Sequence, residues 1–189
     1  MVNKQILFNI SRQILSDIET VLHFNSSGSF YLPEDVGGEL TYVFLGQDLI
    51  VELEWNDSVL FDKNVVTGDY YNDEGSIKLV LMSSKEITRE TISNIGEVLT
   101  HELTHWLQEM GGYEFPPESD MDYLDYYLQP HELEAQYYGF QFESEYLNLP
   151  LVSVVHRWFD KYGEFHEVED IELIRDSLLE RLEEFSEKI

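Results

Sequence analysis

The chain has 189 residues, 43% of them hydrophobic, which is enough for one domain with a substantial core. Its 38 acidic and 11 basic residues give a formal net charge of −27, which repels phosphate backbones and excludes direct nucleic-acid binding from our expectations. The sequence contains no cysteine and no run of 18 apolar residues, so we expect no thiolate ligand and no membrane span. We expect a single domain over residues 1–189, in the cytoplasm. Its acidic surface favours solubility and is also compatible with a basic protein partner.

The N-terminal part predicts a helix followed by a small sheet. Isoleucines recur at every fourth position from Ile6 to Ile18, which predicts an amphipathic helix over about Asn3–His23. This pattern lacks the continuous apolar core of a signal peptide. The apolar runs that follow predict strands: Thr41–Leu45 and Leu49–Trp55, joined as a hairpin around Gly46, a short strand within Val59–Val66, and the clearest strand, Ser76–Met82.

The C-terminal part predicts helices separated by one long loop. The acidic, tyrosine-rich segment Gly112–Gln129 contains at most a short helix near Met121–Leu128, and its length is typical of a lid or binding loop. The predicted helices run from near Thr88 to Gly111, from Pro130 to about Asn148, over Leu151–Tyr162 and over Glu167–Lys188.

The most informative motif lies inside the first of these helices, at His101-Glu-Leu-Thr-His105. Two imidazoles four positions apart point only about 40° apart around a helix, so both can bind one metal ion. Glu102 lies between them, where it can take a proton from a water molecule on that metal. The H-E-x-x-H pattern is typical of zinc-dependent hydrolysis, most often of peptides.

The rest of this helix provides a setting for the motif. An apolar stripe at helical spacing predicts that the opposite face is buried, which leaves the two histidines on the floor of a cleft. The stripe consists of Ile92, Ile95, Leu99, Leu103, Trp106 and Met110.

A catalytic zinc needs a third protein ligand. An H-E-x-x-H-x-x-G-x-x-H continuation is excluded, because Gln108 and Gly111 occupy the positions of its glycine and last histidine. The candidates are then His131, Glu132 and Glu134.

Helix geometry favours Glu132 over these two alternatives. The Glu132 face continues through the small residues Ala135 and Gly139, which would let the two helices approach closely. The same face carries Gln136, which is expected to orient a metal-bound histidine through a hydrogen bond. Glu134 and His131 remain alternatives for the third ligand.

The combination of His101-Glu-Leu-Thr-His105 with Glu132-Leu-Glu-Ala135 resembles the gluzincin metallopeptidases, whose signature is H-E-x-x-H with a later E-x-x-A-D/N. The resemblance covers about Ser76–Leu147 and is closest to small members such as the ImmA/IrrE-like and phage-type peptidases. The sequence departs from the signature at Gln136, where the family usually has Asp or Asn.

This resemblance implies an α+β, zincin-like fold, in which a small mixed or antiparallel sheet packs on the H-E-x-x-H helix and a second, Glu-bearing helix, with extra C-terminal helices. It also implies that an edge strand of the sheet pairs with extended substrate, and Ser76–Met82 is our candidate for that strand.

We therefore expect a zinc metallopeptidase in which His101, His105 and Glu132 bind Zn²⁺ and Glu102 is the general base. The substrate would be a peptide or protein. A further donor should stabilise the oxyanion, and the sequence leaves five candidates: Tyr123, Tyr126, Tyr127, His156 and His166.

Two other functions are compatible with the sequence. The first is an acidic, non-catalytic interaction protein, such as a nucleic-acid mimic or an inhibitor, which the charge of −27 would suit. The second is an inactive relative of the peptidases that keeps zinc for structure alone.

Overall fold

The computed structural model describes residues 1–22, 30–31, 37–56, 65–72, 74–82, 86–116, 123–162 and 171–187. These residues form an α+β arrangement of helices around a small mixed sheet. The helices are α1 (Lys4–Val21), α2 (Arg89–Met110), α3 (Tyr123–Tyr127), α4 (Pro130–Leu147), α5 (Leu151–Tyr162) and α6 (Ile171–Ser186). The strands are β1 (Phe30–Tyr31), β2 (Gly37–Phe44), β3 (Gln47–Asn56), β4 (Val65–Tyr71), β5 (Ser76–Met82) and β6 (Glu86–Ile87).

The predicted helices are confirmed, with small differences at their ends. Helices α1, α4 and α5 begin and end within two residues of the expected positions, and the short α3 lies inside Met121–Leu128. Helix α6 is described from Ile171 to Ser186, and its expected start at Glu167 lies outside the described part of the chain. None of the helices in the described ranges is both long and apolar enough to cross a membrane.

Helix α2 has well-defined ends and a buried apolar face. Thr88 and Thr91 form a reciprocal capping box at its start, and the helix stops at Gly111, followed by Gly112 at φ 82°. The predicted stripe is buried from Ile92 to Trp106, whereas Met110 is exposed. Complete burial of each aliphatic side chain in this stripe contributes roughly 1.5–3 kcal/mol, which fixes α2 against the sheet and α1.

The larger sheet has the strand order β2-β3-β5-β4, with β3 and β5 parallel and the other pairs antiparallel. The predicted hairpin is confirmed as β2–β3. Its turn is made by Leu45 and Gly46, both at positive φ, as in the tight turns that match strand twist. Along β3, buried Leu49, Val51 and Leu53 alternate with side chains at least partly open to solvent, so one face of the sheet covers the core.

The prediction that Ser76–Met82 is the edge strand that pairs with substrate was wrong. Strand β5 (Ser76–Met82) is hydrogen-bonded on both sides, to β3 and to β4, so it has no open edge. Within the described residues β4 pairs with β5 alone, which makes β4 an edge strand. The expected strand at Val59–Val66 begins only at Val65; its earlier residues 59–64 lie outside the described ranges.

Helices α2 and α4 pack antiparallel and very close together. A Cβ added at Gly139 would lie 3.0 Å from the backbone oxygen of Glu97 and 3.6 Å from the Cβ of His101. At the other end of the pair, Gln108 Nε2 donates to the backbone oxygen of His131 at 3.0 Å. The expected close approach along the Glu132 face is therefore confirmed, and it brings the first turn of α4 to the histidines of α2.

Candidate metal centre

Three of the predicted ligands converge at the crossing of α2 and α4. The Nε2 atoms of His101 and His105 are 3.1 Å apart. Glu132 places Oε2 3.5 Å from His101 Nε2 and Oε1 3.3 Å from His105 Nε2. With zinc–ligand distances near 2.0–2.1 Å, the edges of a coordination tetrahedron are about 3.3 Å long. The spacing of these donor atoms therefore fits a zinc ion between them.

Glu102 is a second carboxylate at the same place. Ligand atoms of His101, Glu102 and His105 all lie within 4.8 Å of one another, so this trio is also close enough to hold a metal. Glu132 is the better third ligand, because each of its oxygens approaches a different histidine and its shorter distances match a coordination sphere. Glu102 then remains beside the metal position with its carboxylate available.

The electrostatic environment separates the two carboxylates. Burial would raise the pKa of Glu132, but hydrogen bonds and charge interactions with His101 and His105 outweigh it and hold that pKa well below its usual range. Burial raises the pKa of Glu102, and the two histidines offset this shift only in part. Burial lowers the pKa of His105, yet its contact with Glu132 raises that pKa overall. The site therefore contains one carboxylate that stays ionised and one that binds protons more readily.

The imidazole of His105 is oriented by Gln108, whereas Gln136, which we expected to orient a metal-bound histidine, has no hydrogen-bond partner for its Oε1 atom among the described residues. His105 Nδ1 lies 3.0 Å from Gln108 Oε1, which leaves Nε2 for the metal position. Gln108 Nε2 donates to Glu134 Oε2 at 3.0 Å, and Glu134 Oε1 accepts from the backbone N–H of Val2 at 2.7 Å. Glu134 is thus a support for Gln108, and it does not point at the histidine pair. The signal that the sequence reading missed was a glutamine three residues after the second histidine, on the same helix face.

His131, the other alternative for the third ligand, contacts Glu132 and Tyr113. Its Nε2 is 3.4 Å from Glu132 Oε1, while its Nδ1 lies 3.2 Å from the hydroxyl of Tyr113. Its ring also packs against Phe115. Burial lowers the pKa of His131, so its ring is neutral at pH 7. This histidine therefore lies beside the carboxylate of Glu132, 3.4 Å from Oε1, without belonging to the proposed ligand set.

Among the candidate oxyanion donors whose side chains the structure describes, Tyr126 contacts a proposed ligand. Its hydroxyl donates to Glu132 Oε1 at 3.0 Å, and burial, together with this carboxylate, raises the pKa of the phenol well above its usual range. Tyr127 also borders the cleft, whereas His156 is exposed on α5 and lies outside it. His166 and the side chain of Tyr123 lie outside the described residues.

These residues line an open cleft of about 660 Å³. One wall is the edge strand β4, from Thr67 to Tyr71, and the described parts of the predicted lid, at Phe115–Pro116 and Tyr126–Tyr127, border the cleft as well. A Cβ added at Gly68 would lie 2.5 Å from Val98 Cγ1 and 2.9 Å from Glu102 Cγ. Glycine at this position therefore lets the strand pass directly over Glu102, a role that the sequence reading did not recognise.

The sequence matches none of the protein-family models, curated proteins or solved structures with which it was compared.

Proposed function

We propose that this protein is a zinc-dependent peptidase with a zincin-like fold of the gluzincin type, which hydrolyses peptide bonds in the cleft between α2, α4 and β4. The observation that carries the proposal is that each Glu132 oxygen lies within 3.5 Å of the Nε2 atom of a different histidine. The carboxylate of Glu102 lies close to the same two histidines. In this proposal His101, His105 and Glu132 hold the zinc ion. When bound, zinc supplies Lewis acidity toward water and the scissile carbonyl.

The proposed general base is the Glu102 carboxylate. It takes a proton from the attacking water and passes it to the nitrogen of the leaving amine, which is the usual double role of a carboxylate in such hydrolysis. Support comes from its burial, which raises its pKa and so makes it a better proton acceptor than an exposed glutamate. Glu132 is suited to the other role, because its lowered pKa keeps it ionised.

The remaining parts of the cleft suit an extended peptide. Strand β4 presents an edge beside Glu102, and a peptide that adds to this edge would gain main-chain hydrogen bonds along the site. Tyr126 is the proposed donor to the oxygen of the scissile carbonyl, because its neutral hydroxyl lies beside the proposed metal position and its one proton can turn from Glu132 Oε1 to a bound substrate.

The direct test compares the zinc-loaded wild type with Glu102→Gln on a mixed peptide library, with cleavage followed by mass spectrometry. We expect the variant to keep its zinc and to lose activity by about 10²–10⁴-fold, the usual contribution of a general base. His156→Gln is a suitable control, because His156 is exposed and outside the cleft.

Full activity of zinc-loaded Glu102→Gln would rule out this mechanism. Zinc binding without turnover of any peptide by the wild type would instead favour an inactive, zinc-binding relative. If the protein kept both its stability and its partner binding in the presence of a chelator, the result would favour the acidic interaction protein.

A further inference from the structure

The cleft extends beyond the proposed metal position into a second region that the hydrolytic mechanism does not use. Glu97 lies one helical turn before His101, about 6 Å along α2. Gln136 lies one turn after Glu132 on α4. Because the two helices are antiparallel, both side chains lie toward the same end of the cleft. Trp158 and Tyr127 also line the cleft, and the ring of Trp158 contacts Phe140, one turn after Gln136 on α4, and Tyr127. Glu97, Gln136, Tyr127 and Trp158 are called the distal pocket below.

Two acceptor atoms in the distal pocket lack partners. Glu97 is 3% exposed and Gln136 is 4% exposed, and no group in the described residues forms a hydrogen bond with Glu97 Oε2 or Gln136 Oε1. A buried polar atom without a partner is costly, so such atoms are uncommon in folded proteins and each one calls for an explanation, such as a ligand. Gln136 Oε1 accepts hydrogen bonds, and Glu97 Oε2 accepts them once its carboxyl is ionised, so a cationic donor would satisfy both atoms.

The charges around the pocket point to a cationic donor. The carboxyls of Glu97 and Glu143 are both buried, and the nearby ammonium of Lys161 acts on each of them. The other nearby cation, Arg157, forms an ion pair with Glu90 at 2.6 Å. Glu102 adds further negative charge on the side of the metal position. Within the described residues, acidic groups therefore outnumber basic ones around Glu97.

Burial raises the pKa of Glu97 well above its usual value, with the neighbouring Glu143 adding to the shift and Lys161 offsetting it only in part. A ligand cation beside Glu97 would add to the counter-charge that Lys161 supplies and would release a proton from this carboxyl as it binds.

The walls of the pocket suit a flat cation. The rings of Tyr127 and Trp158 meet edge to face, with centroids 6.1 Å apart. Guanidinium groups stack on aromatic faces and present five N–H donors in a planar fork, whereas an ammonium group is more strongly hydrated and less directional. A guanidinium can therefore reach two separate acceptors and still contact an aromatic ring.

We infer that the distal pocket, with Glu97 and Gln136 as acceptors, is a subsite for an arginine side chain of the substrate near the scissile bond. The inference rests on the proposed peptidase function and narrows its substrate class to arginine-containing peptides. The net charge of −27 acts in the same direction, because it steers basic peptides toward the protein.

The first experiment measures binding without hydrolysis. N-acetyl-arginine amide is titrated into the full-length protein by calorimetry, with the neutral isostere N-acetyl-citrulline amide and with N-acetyl-lysine amide as comparisons. We expect the arginine compound to bind at least about tenfold more tightly than the citrulline compound, and Glu97→Gln to remove most of this difference. Equal binding of arginine and citrulline compounds would overturn the inference.

The second experiment measures selectivity among substrates. Matched peptides carry arginine, lysine or norleucine on either side of the cleaved bond, and kcat/KM is compared between wild type and Glu97→Gln. We expect the ratio of arginine to norleucine to exceed about ten in the wild type and to fall by about tenfold in the variant. Glu180→Gln, which removes one exposed charge from α6, should leave this ratio unchanged.

These two experiments separate the failure of the subsite from the failure of the peptidase. Hydrolysis without a preference for arginine would overturn the subsite and leave the peptidase proposal intact. Selective binding of the arginine compound without hydrolysis would support the subsite and count against the peptidase. If Glu97→Gln does not fold, Gln136→Leu tests the same ratio, and an unchanged ratio there would contradict the inference.

Discussion

At the scale of single residues, Glu102 and Glu132 have the same chemistry but opposite environments. Glu132 lies within 3.5 Å of two imidazoles, which lower its pKa, whereas burial dominates at Glu102 and raises its pKa. When two titratable groups are shifted apart in this way, the ionised one suits a ligand role and the other suits proton transfer. Both glutamates could be identified from the sequence. Their distances and environments could not, because these depend on how α4 packs on α2.

Gln108 gives a prediction at the same scale. Replacing it with alanine removes the hydrogen bond that orients His105 and leaves Glu134 without its side-chain donor. We expect Gln108→Ala to weaken zinc affinity by about 10–100-fold, the usual cost of losing a group that orients a metal ligand. Competition with a chelating dye measures this change directly.

Gln141→Ala is the control for this measurement, because Gln141 is a partly buried glutamine of α4 that does not line the cleft. An unchanged zinc affinity in Gln108→Ala would show that His105 does not depend on Gln108.

At the scale of elements, helices were easier to predict from sequence than the order of strands. Helix α2 carries its own signals, namely the cap at Thr88, the apolar stripe and the stop at Gly111. Strand β5 is the most apolar run because it is covered by neighbours on both sides, and for the same reason it cannot be the edge that meets a substrate. The edge strand β4 contains Gly68 and Asp69, and both residue types are typical of turns. Only the packing of β4 against α2 explains why they lie in a strand.

The close contact of β4 with α2 gives a prediction for Gly68. An added methyl group would lie 2.5 Å from Val98 and 2.9 Å from Glu102, so either the strand or the Glu102 side chain must move. We expect Gly68→Ala to reduce kcat by at least about tenfold and to destabilise the protein by about 1–3 kcal/mol, as overpacking commonly does. Thermal unfolding and peptide cleavage measure the two effects.

Gly38→Ala is a matched control in the same sheet, because no atom of the described residues lies within 4 Å of a Cβ at Gly38 on β2. If Gly68→Ala behaved like Gly38→Ala in both assays, β4 would not lie against Glu102 as described.

At the scale of the whole molecule, some of the many acidic groups are buried in the interior. Burial raises the pKa of Glu143 to about 7 from an ordinary value of 4.5, with Arg157 and Lys161 offsetting part of the shift. A carboxyl with a raised pKa in the folded state favours folding at low pH and loses that contribution as pH rises through its folded value. Burial lowers the pKa of Lys161 to about 8, so this residue stays largely charged at lower pH. It therefore contributes little to the change of stability with pH in that range.

We therefore expect the melting temperature to fall as pH rises from about 5 to about 7.5, through the folded pKa of Glu143. Glu143→Gln should reduce this fall, because the neutral amide has no proton to lose. Glu180→Gln, at an exposed position of α6, should keep the wild-type slope. Identical pH profiles for wild type and Glu143→Gln, recorded by circular dichroism, would contradict the buried, raised-pKa state of Glu143.

The most direct test of the account is the zinc content of purified protein, measured by mass spectrometry of the metal alongside peptide cleavage. We predict about one zinc per wild-type chain, because the donor set offers a single three-ligand site. Glu132→Ala and His101→Ala should lose both zinc and activity, whereas Glu134→Ala should retain zinc at saturating concentrations with weaker affinity. A Glu132→Ala protein that holds a full equivalent of zinc as tightly as the wild type would contradict the proposed metal centre.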